Sequence, residues 1–268
     1  MKLESLNLPA QSPTKDDQPP VLFVHGSYCA AWIWAEKFMP YFSARGYPTH
    51  AVSLRGHGGS EGNLAWASLA DYVDDVEATI RQIGRPPVLI GHSLGGLVVQ
   101  HVLSRGLAIE AVALMAPAPP SGLGSSAWHM SLFAADVLWQ LGLLQSLGPQ
   151  AVSADIIRRA FFSAQTPDSV VRDLLPRMQR ESDRISTELL SPPWPPPPQT
   201  GESPPMLVIG GDADTFIPLS ALRETAHYFN SDLDILAGAP HGLMLDTVWW
   251  QPTADHIMAW LARNGIGE

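Results

Sequence analysis

Cysteine is almost absent: Cys29 is the only one in 268 residues. No intrachain disulfide is possible, and no zinc site built on several thiolates. Cys29 itself reads as a small buried apolar residue before it reads as a reactive thiol. Charge is also scarce, at 16% of residues, and it is unbalanced, with 16 Lys+Arg against 26 Asp+Glu for a net −10. With no Lys/Arg cluster, nucleic acid, anionic membrane surfaces and polyanionic substrates are poor electrostatic partners. The opening Met1-Lys2-Leu3-Glu4-Ser5-Leu6-Asn7 lacks a long apolar stretch, so no secretory signal is visible and a cytoplasmic, reducing location is expected. The most apolar window, Trp128 to Leu144, is interrupted by His129, Asp136 and Gln140 and weakened by Gly142; no membrane span is expected there.

Apolar residues are abundant, at 46%, enough for a large core in one domain with room for an inserted subdomain. Short runs without polar alternation suit central parallel strands covered on both faces: Val21–Val24, Thr49–Ser53, Val88–Ile90, Ala111–Met115, Met206–Ile209 and Leu233–Leu236. Helical patterns lie between them. Ser68 is placed as an N-cap with Asp71 three residues on, Val73, Val76, Ile80 and Ile83 follow at helical spacing, and Gly84 ends the helix. A last helix is predicted over about Thr253–Arg263. Alternating β and α elements imply an α/β fold, doubly wound around a mostly parallel sheet. The alternation stops between about Ser121 and Thr200, where only helical patterns occur, over Trp128–Leu144, Ala154–Ala164 and Ser169–Arg180. The stretch ends in the stiff run Ser191-Pro192-Pro193-Trp194-Pro195-Pro196-Pro197-Pro198. The expected organisation is a core of residues 1–120 and 201–268, with 121–200 as an all-helical lid.

Gly91-His92-Ser93-Leu94-Gly95 follows one of these strands and opens a helix-permissive run. A Gly-x-Ser-x-Gly at a strand-to-helix junction is the pattern of a nucleophile elbow. The serine must stand on a very tight turn, and side chains two residues to either side would collide. A serine hydroxyl also needs a base, an orienting acid and donors for an oxyanion. His241, in the loop after the last strand and before the closing helix, is the candidate base. The candidate acids, Asp212 and Asp214, both follow strand Met206–Ile209. Asp214 is favoured because it precedes the Phe216-Ile217-Pro218 segment that starts the next element, and capping the turn is the plainer role of Asp212. The backbone amides of Leu94, at the start of the helix after the serine, and Ser27, in the loop His25-Gly26-Ser27-Tyr28, are the candidate oxyanion donors. His25 reads as a structural support of that loop.

Val24-His25-Gly26, Arg55-Gly56-His57-Gly58-Gly59-Ser60, Gly91-His92-Ser93-Leu94-Gly95, the Gly-x-x-Asp of Gly211–Asp214 and the late His241 together resemble the α/β-hydrolase superfamily over nearly the whole chain. Trp32-Ile33-Trp34 resembles members that include esterases and hydroxynitrile lyases. The resemblance implies Ser93, Asp214 and His241 as a catalytic triad, Ser27 and Leu94 as oxyanion donors, and turn chemistry for Arg55–Gly58. It implies no metal and no organic cofactor. The region before Val21 is short and proline-rich, so the opening hairpin common in the superfamily is expected to be reduced.

Trp128, Phe133 and Trp139 in the first lid helix are candidates to line an apolar pocket above Ser93; packing against the core and a dimer contact are the other readings of these residues. The expected partner is a small, partly hydrophobic molecule, and the expected reaction is carboxylic ester hydrolysis through an acyl-enzyme. A thioester, amide, lactone or carbon–carbon bond on the same triad, hydroxynitrile-lyase chemistry and a non-catalytic binding module remain open, as does the oligomeric state.

Overall fold

The computed structural model describes residues 1–11, 18–196 and 203–267. In chain order the core begins with β1 (Ser5–Leu8), β2 (Val21–Val24), α1 (Trp32–Ala35), α2 (Phe38–Ser43) and β3 (Thr49–Val52). It continues with α3 (Leu69–Ile83), β4 (Val88–His92), α4 (Leu94–Val102) and β5 (Ala111–Met115). Five helices then follow without a described strand: α5 (Gly124–Phe133), α6 (Ala135–Leu147), α7 (Ala154–Phe161), α8 (Asp168–Leu174) and α9 (Asp183–Glu188). The chain closes with β6 (Met206–Gly211), α10 (Leu219–Phe229), β7 (Asp232–Leu236) and α11 (Trp250–Arg263). The sheet order is β1-β3-β2-β4-β5-β6-β7, and every pairing is parallel except that of β1 with β3. This is the expected doubly wound, mostly parallel architecture.

The continuous apolar runs end up where such runs belong: β2, β4, β5 and β6 are buried along their whole length. The opening hairpin is reduced to the single strand β1, which pairs Ser5 with Val52 and Leu8 with Thr49. Helix α3 carries the capping box foreseen from Ser68 and Asp71, and Gly84 closes it at φ 73°. Helix α11 starts three residues earlier than expected, because Pro252 sits in its first turn, where no N–H is required. The stretch expected as one helix over Trp128–Leu144 is two, broken at Ala134 (φ −148°, ψ 46°). Part of the proline run, residues 197–198, lies outside the described residues. Among the described residues, no helix is long and apolar enough to cross a membrane.

In the order β3-β2-β4 the chain adds β3 on one side of β2 and β4 on the other, so the switch in strand order falls between the parallel strands β2 and β4, the crevice that open α/β sheets use for ligands. There the chain packs tightly. A Cβ on Gly91 would lie 2.6 Å from the Gly95 carbonyl oxygen, and a Cβ on Gly95 would lie 2.5 Å from that of Val24. Both obstacles are backbone and cannot swing aside.

The helical segment is tied to the core by buried polar contacts. Asp246, fully buried, accepts hydrogen bonds from the Ser163 amide (2.7 Å) and the Thr166 hydroxyl (2.9 Å) in the loop after α7. It also accepts from the amides of Val248 (2.8 Å) and Trp249 (3.1 Å) ahead of α11. Burial pushes its carboxyl up, but the donors from Ser163, Val248 and Thr166 outweigh this and hold it below the usual carboxylate range. A depressed folded-state pKa gives stability that is present above about pH 4 and lost as pH falls through the lower folded value.

Two outcomes follow in urea unfolding. Gly95→Ala lowers stability by about 3 kcal/mol or prevents folding; a loss under about 0.5 kcal/mol contradicts the close packing. Asp246→Asn lowers stability by about 2 kcal/mol at pH 7, and its deficit shrinks as the pH is taken below about 4; a deficit independent of pH contradicts the charged role of Asp246.

Candidate active site

Ser93 forms the junction between β4 and α4 with φ 54° and ψ −118°, a left-handed backbone that a side-chain-bearing residue rarely adopts. Its neighbours hold it there. The Ser93 amide donates to the Met115 carbonyl (3.1 Å), while its carbonyl accepts from Gly96 (3.0 Å) and Ala118 (3.0 Å). The side chain therefore projects from the carboxyl edge of the sheet into a cavity of about 310 Å³ that it shares with His241. Among the described residues Ser93 Oγ makes no hydrogen bond, to His241 or to any other side chain.

His241 lies in the loop after β7 and is buried. Its Nδ1 is 2.7 Å from Asp214 Oδ2, which fixes the ring orientation and leaves Nε2 as the nitrogen with no intramolecular partner. The other oxygen of Asp214 accepts from the amides of Phe216 (2.7 Å) and Ile217 (2.9 Å), so the acid is itself held in place. Asp212 instead accepts from the Gly238 amide (2.5 Å) and closes the turn before His241. Of the two aspartates, only Asp214 contacts His241. Phe161 and Phe216 pack around the imidazole, with ring centroids 5.8 and 4.9 Å away.

The amides of Ser27 and Leu94 have no acceptor among the described residues. Leu94 opens α4, so its N–H also carries the positive end of the helix dipole. His25 spans the floor of this loop: its Nδ1 lies 2.8 Å from the Gly26 carbonyl and its Nε2 accepts the Leu54 amide (3.0 Å). Burial, with some repulsion from His57, lowers its pKa to about 3, so it stays neutral, as a structural support should. His92 places its Nε2 3.0 Å from the His241 carbonyl, and burial followed by the proximity of His241 holds its pKa well below the usual value. A neutral His92 donating to that carbonyl pins the loop of His241 directly onto the elbow. The variable residue of the Gly-x-Ser-x-Gly pattern thus has a task that the sequence did not disclose.

Trp128, Phe133 and Trp139 do not line this cavity. They are 69%, 75% and 67% exposed, and the apolar walls come instead from Ala127, Met130, Leu138 and Leu141 of the same two helices. In both helices the apolar residues are spread around the axis and not gathered on one face, so the sequence pattern could not choose the inward ones, and the chain is broken between them at Ala134. Among the described residues no cluster of three or more His, Cys, Asp or Glu side chains is arranged to hold a metal ion.

A model of the alpha/beta hydrolase family matches residues 21–255. The chain belongs to that family. Solved structures with the same fold include a thermophilic esterase from Thermogutta terrifontis, 18% identical, with a TM-score of 0.73 over 97% of this chain and 93% of that one. An esterase from Exiguobacterium antarcticum is 14% identical, with a TM-score of 0.78 over 97% and 95%. A bromoperoxidase from Bacillus anthracis is 19% identical, with a TM-score of 0.75 over 97% and 94%.

Within this alpha/beta hydrolase the Cys29 thiol also lines the cavity, and burial together with the nearby Glu181 carboxylate pushes its pKa up to about 12. At pH 8 almost none of it is thiolate. A disulfide reagent such as Ellman's should therefore leave the native protein unmodified over minutes and titrate one thiol after unfolding in urea. Rapid native modification would contradict the raised pKa of this half-buried thiol.

Proposed function

We propose that this protein is a serine esterase that hydrolyses uncharged, partly hydrophobic carboxylic esters through an acyl-enzyme. The observation that carries the reading is the 2.7 Å contact of His241 Nδ1 with Asp214 Oδ2 beside a serine held at φ 54° on the floor of the same cavity. Asp214 keeps the proton on Nδ1, so Nε2 is the basic nitrogen and takes the Ser93 proton as Oγ attacks the ester carbonyl. Contacts of this kind tighten when substrate is seated, so the absence of a Ser93–His241 hydrogen bond does not weigh against the step. The amides of Ser27 and Leu94 donate to the oxyanion that forms. The imidazolium then protonates the departing alcohol, and water activated by His241 releases the acid and regenerates Ser93.

We assign residues 121–200 as a cap over this cavity. Supporting that role, Ala127, Met130, Leu138, Leu141 and Phe161 furnish much of its apolar wall, and the Gly242 amide donates to the Phe161 carbonyl (2.8 Å) next to His241. Such a wall favours alkyl or aromatic groups and disfavours anionic substrates.

Hydrolysis of p-nitrophenyl esters tests the assignment. Ser93→Ala and His241→Gln are each expected to lower kcat by about 10⁴-fold or more, and Asp214→Asn by about 10³–10⁴-fold. Asp212→Asn should cost less than about tenfold. Equal losses for the two aspartate variants would overturn the choice of acid, and an active Ser93→Ala protein would overturn the mechanism.

A further inference from the structure

One hydroxyl beside the nucleophile has no task in the folded protein. Ser27 is half-buried and lines the cavity together with Ser93 and His241. Serine hydroxyls in tight loops ordinarily bond to nearby backbone groups. Among the described residues that of Ser27 makes no hydrogen bond, and it is not one of the sealed polar atoms, so it keeps accessible surface. Its loop touches the nucleophile: a Cβ on the preceding Gly26 would lie 3.0 Å from Ser93 Cβ.

The loop is held without help from that hydroxyl. Tyr28, directly after Ser27, takes a left-handed conformation at φ 65°, and its carbonyl accepts the Gln179 amide (3.0 Å). The side chain of Gln179 accepts from the Gly58 amide (2.9 Å) and donates to the Gly56 carbonyl (2.9 Å), which clamps the turn to the core. Before Ser27, His25 accepts the Leu54 amide (3.0 Å). Ser27 is thus fixed from both sides while its amide and its hydroxyl stay free. Covalent geometry links these two donors. In two of the three staggered rotamers a serine oxygen lies about 3 Å from the nitrogen of its own residue, so an acceptor seated on the amide can also be reached by the hydroxyl.

We infer that the Ser27 hydroxyl is a third donor to the oxyanion, beside the amides of Ser27 and Leu94. The inference rests on the esterase reading above and makes the Ser27 side chain, and not only its backbone, part of the catalytic machinery. A free hydroxyl turns about its own bond, so it donates more strongly as charge grows on the substrate oxygen. An interaction that strengthens in the transition state raises kcat more than it lowers KM. Both formation and hydrolysis of the acyl-enzyme pass through such an oxyanion, so the gain is felt whichever step limits the rate. Substitution isolates the hydroxyl, because the backbone amides survive any change of side chain.

Kinetics with p-nitrophenyl esters, alongside inhibition by an uncharged alkyl trifluoromethyl ketone, tests the assignment. With the ketone, Ser93 Oγ bonds to the carbonyl carbon, the carbonyl electron pair moves onto oxygen, and the Ser93 proton passes to His241; nothing departs, so the adduct retains the oxyanion. Ser27→Ala should lower kcat by about 10²-fold with KM nearly unchanged, and should weaken the ketone by a similar factor. Ser27→Thr keeps the hydroxyl and Ser27→Val has the same shape without it. The threonine variant should exceed the valine one by at least about tenfold in kcat, a comparison that decides the question even if Ser27→Ala fails to fold. An unchanged kcat, a loss confined to KM, or equal threonine and valine variants would overturn the inference, and ester cleavage by the wild type would then leave the esterase reading intact. A wild type that cleaves no ester but binds the ketone less tightly once the hydroxyl is removed supports the third donor and refutes the esterase. A wild type that neither cleaves esters nor binds the ketone overturns both.

Discussion

The tight approach of α4 to the β4 and β2 strand ends is the constraint on which the site depends. Only because Gly91 and Gly95 carry no Cβ can the chain turn within one residue and still pack against the Val24 and Gly95 carbonyls. That turn puts Ser93 at φ 54° and aims its hydroxyl away from the sheet. The same turn exposes the Leu94 amide at a helix start, beside the loop that carries Ser27. Geometry that strains one residue thus provides both a projecting hydroxyl and a pair of unpaired donors.

Histidines around this turn are sorted by their surroundings. His25 and His92 are buried among backbone groups and kept neutral, one bracing the Ser27 loop and the other holding the carbonyl of His241. His57 lies against a carboxylate and is biased toward its charged form. His241 alone combines an acid on Nδ1 with a place on the cavity wall. Sequence type does not distinguish these four rings, and their hydrogen-bond partners do.

The core was legible because its strands are buried on both faces. Runs such as Val21–Val24 and Ala111–Met115 have no polar alternation to misread, and their observed limits match the apolar ones. Strand β1 was not seen as a strand: its four residues are mostly half-buried on a sheet edge and carry little pattern. Chain order pointed to the loop after β6 but could not choose between its two aspartates; Asp214 was favoured for its place before Phe216-Ile217-Pro218, and it is the one in contact with His241. The inward face of α5 and α6 was not legible, because their apolar residues are spread around the axis with no periodicity to orient them.

The central claim is that Ser93 is made nucleophilic by His241 and not merely displayed by the turn. Intact-protein and peptide mass spectrometry after treatment with a fluorophosphonate tests it most directly. The account predicts a single adduct located on Ser93 in the wild type and almost none in a folded His241→Gln variant. An unlabelled wild type, or equal labelling without the imidazole, would contradict it.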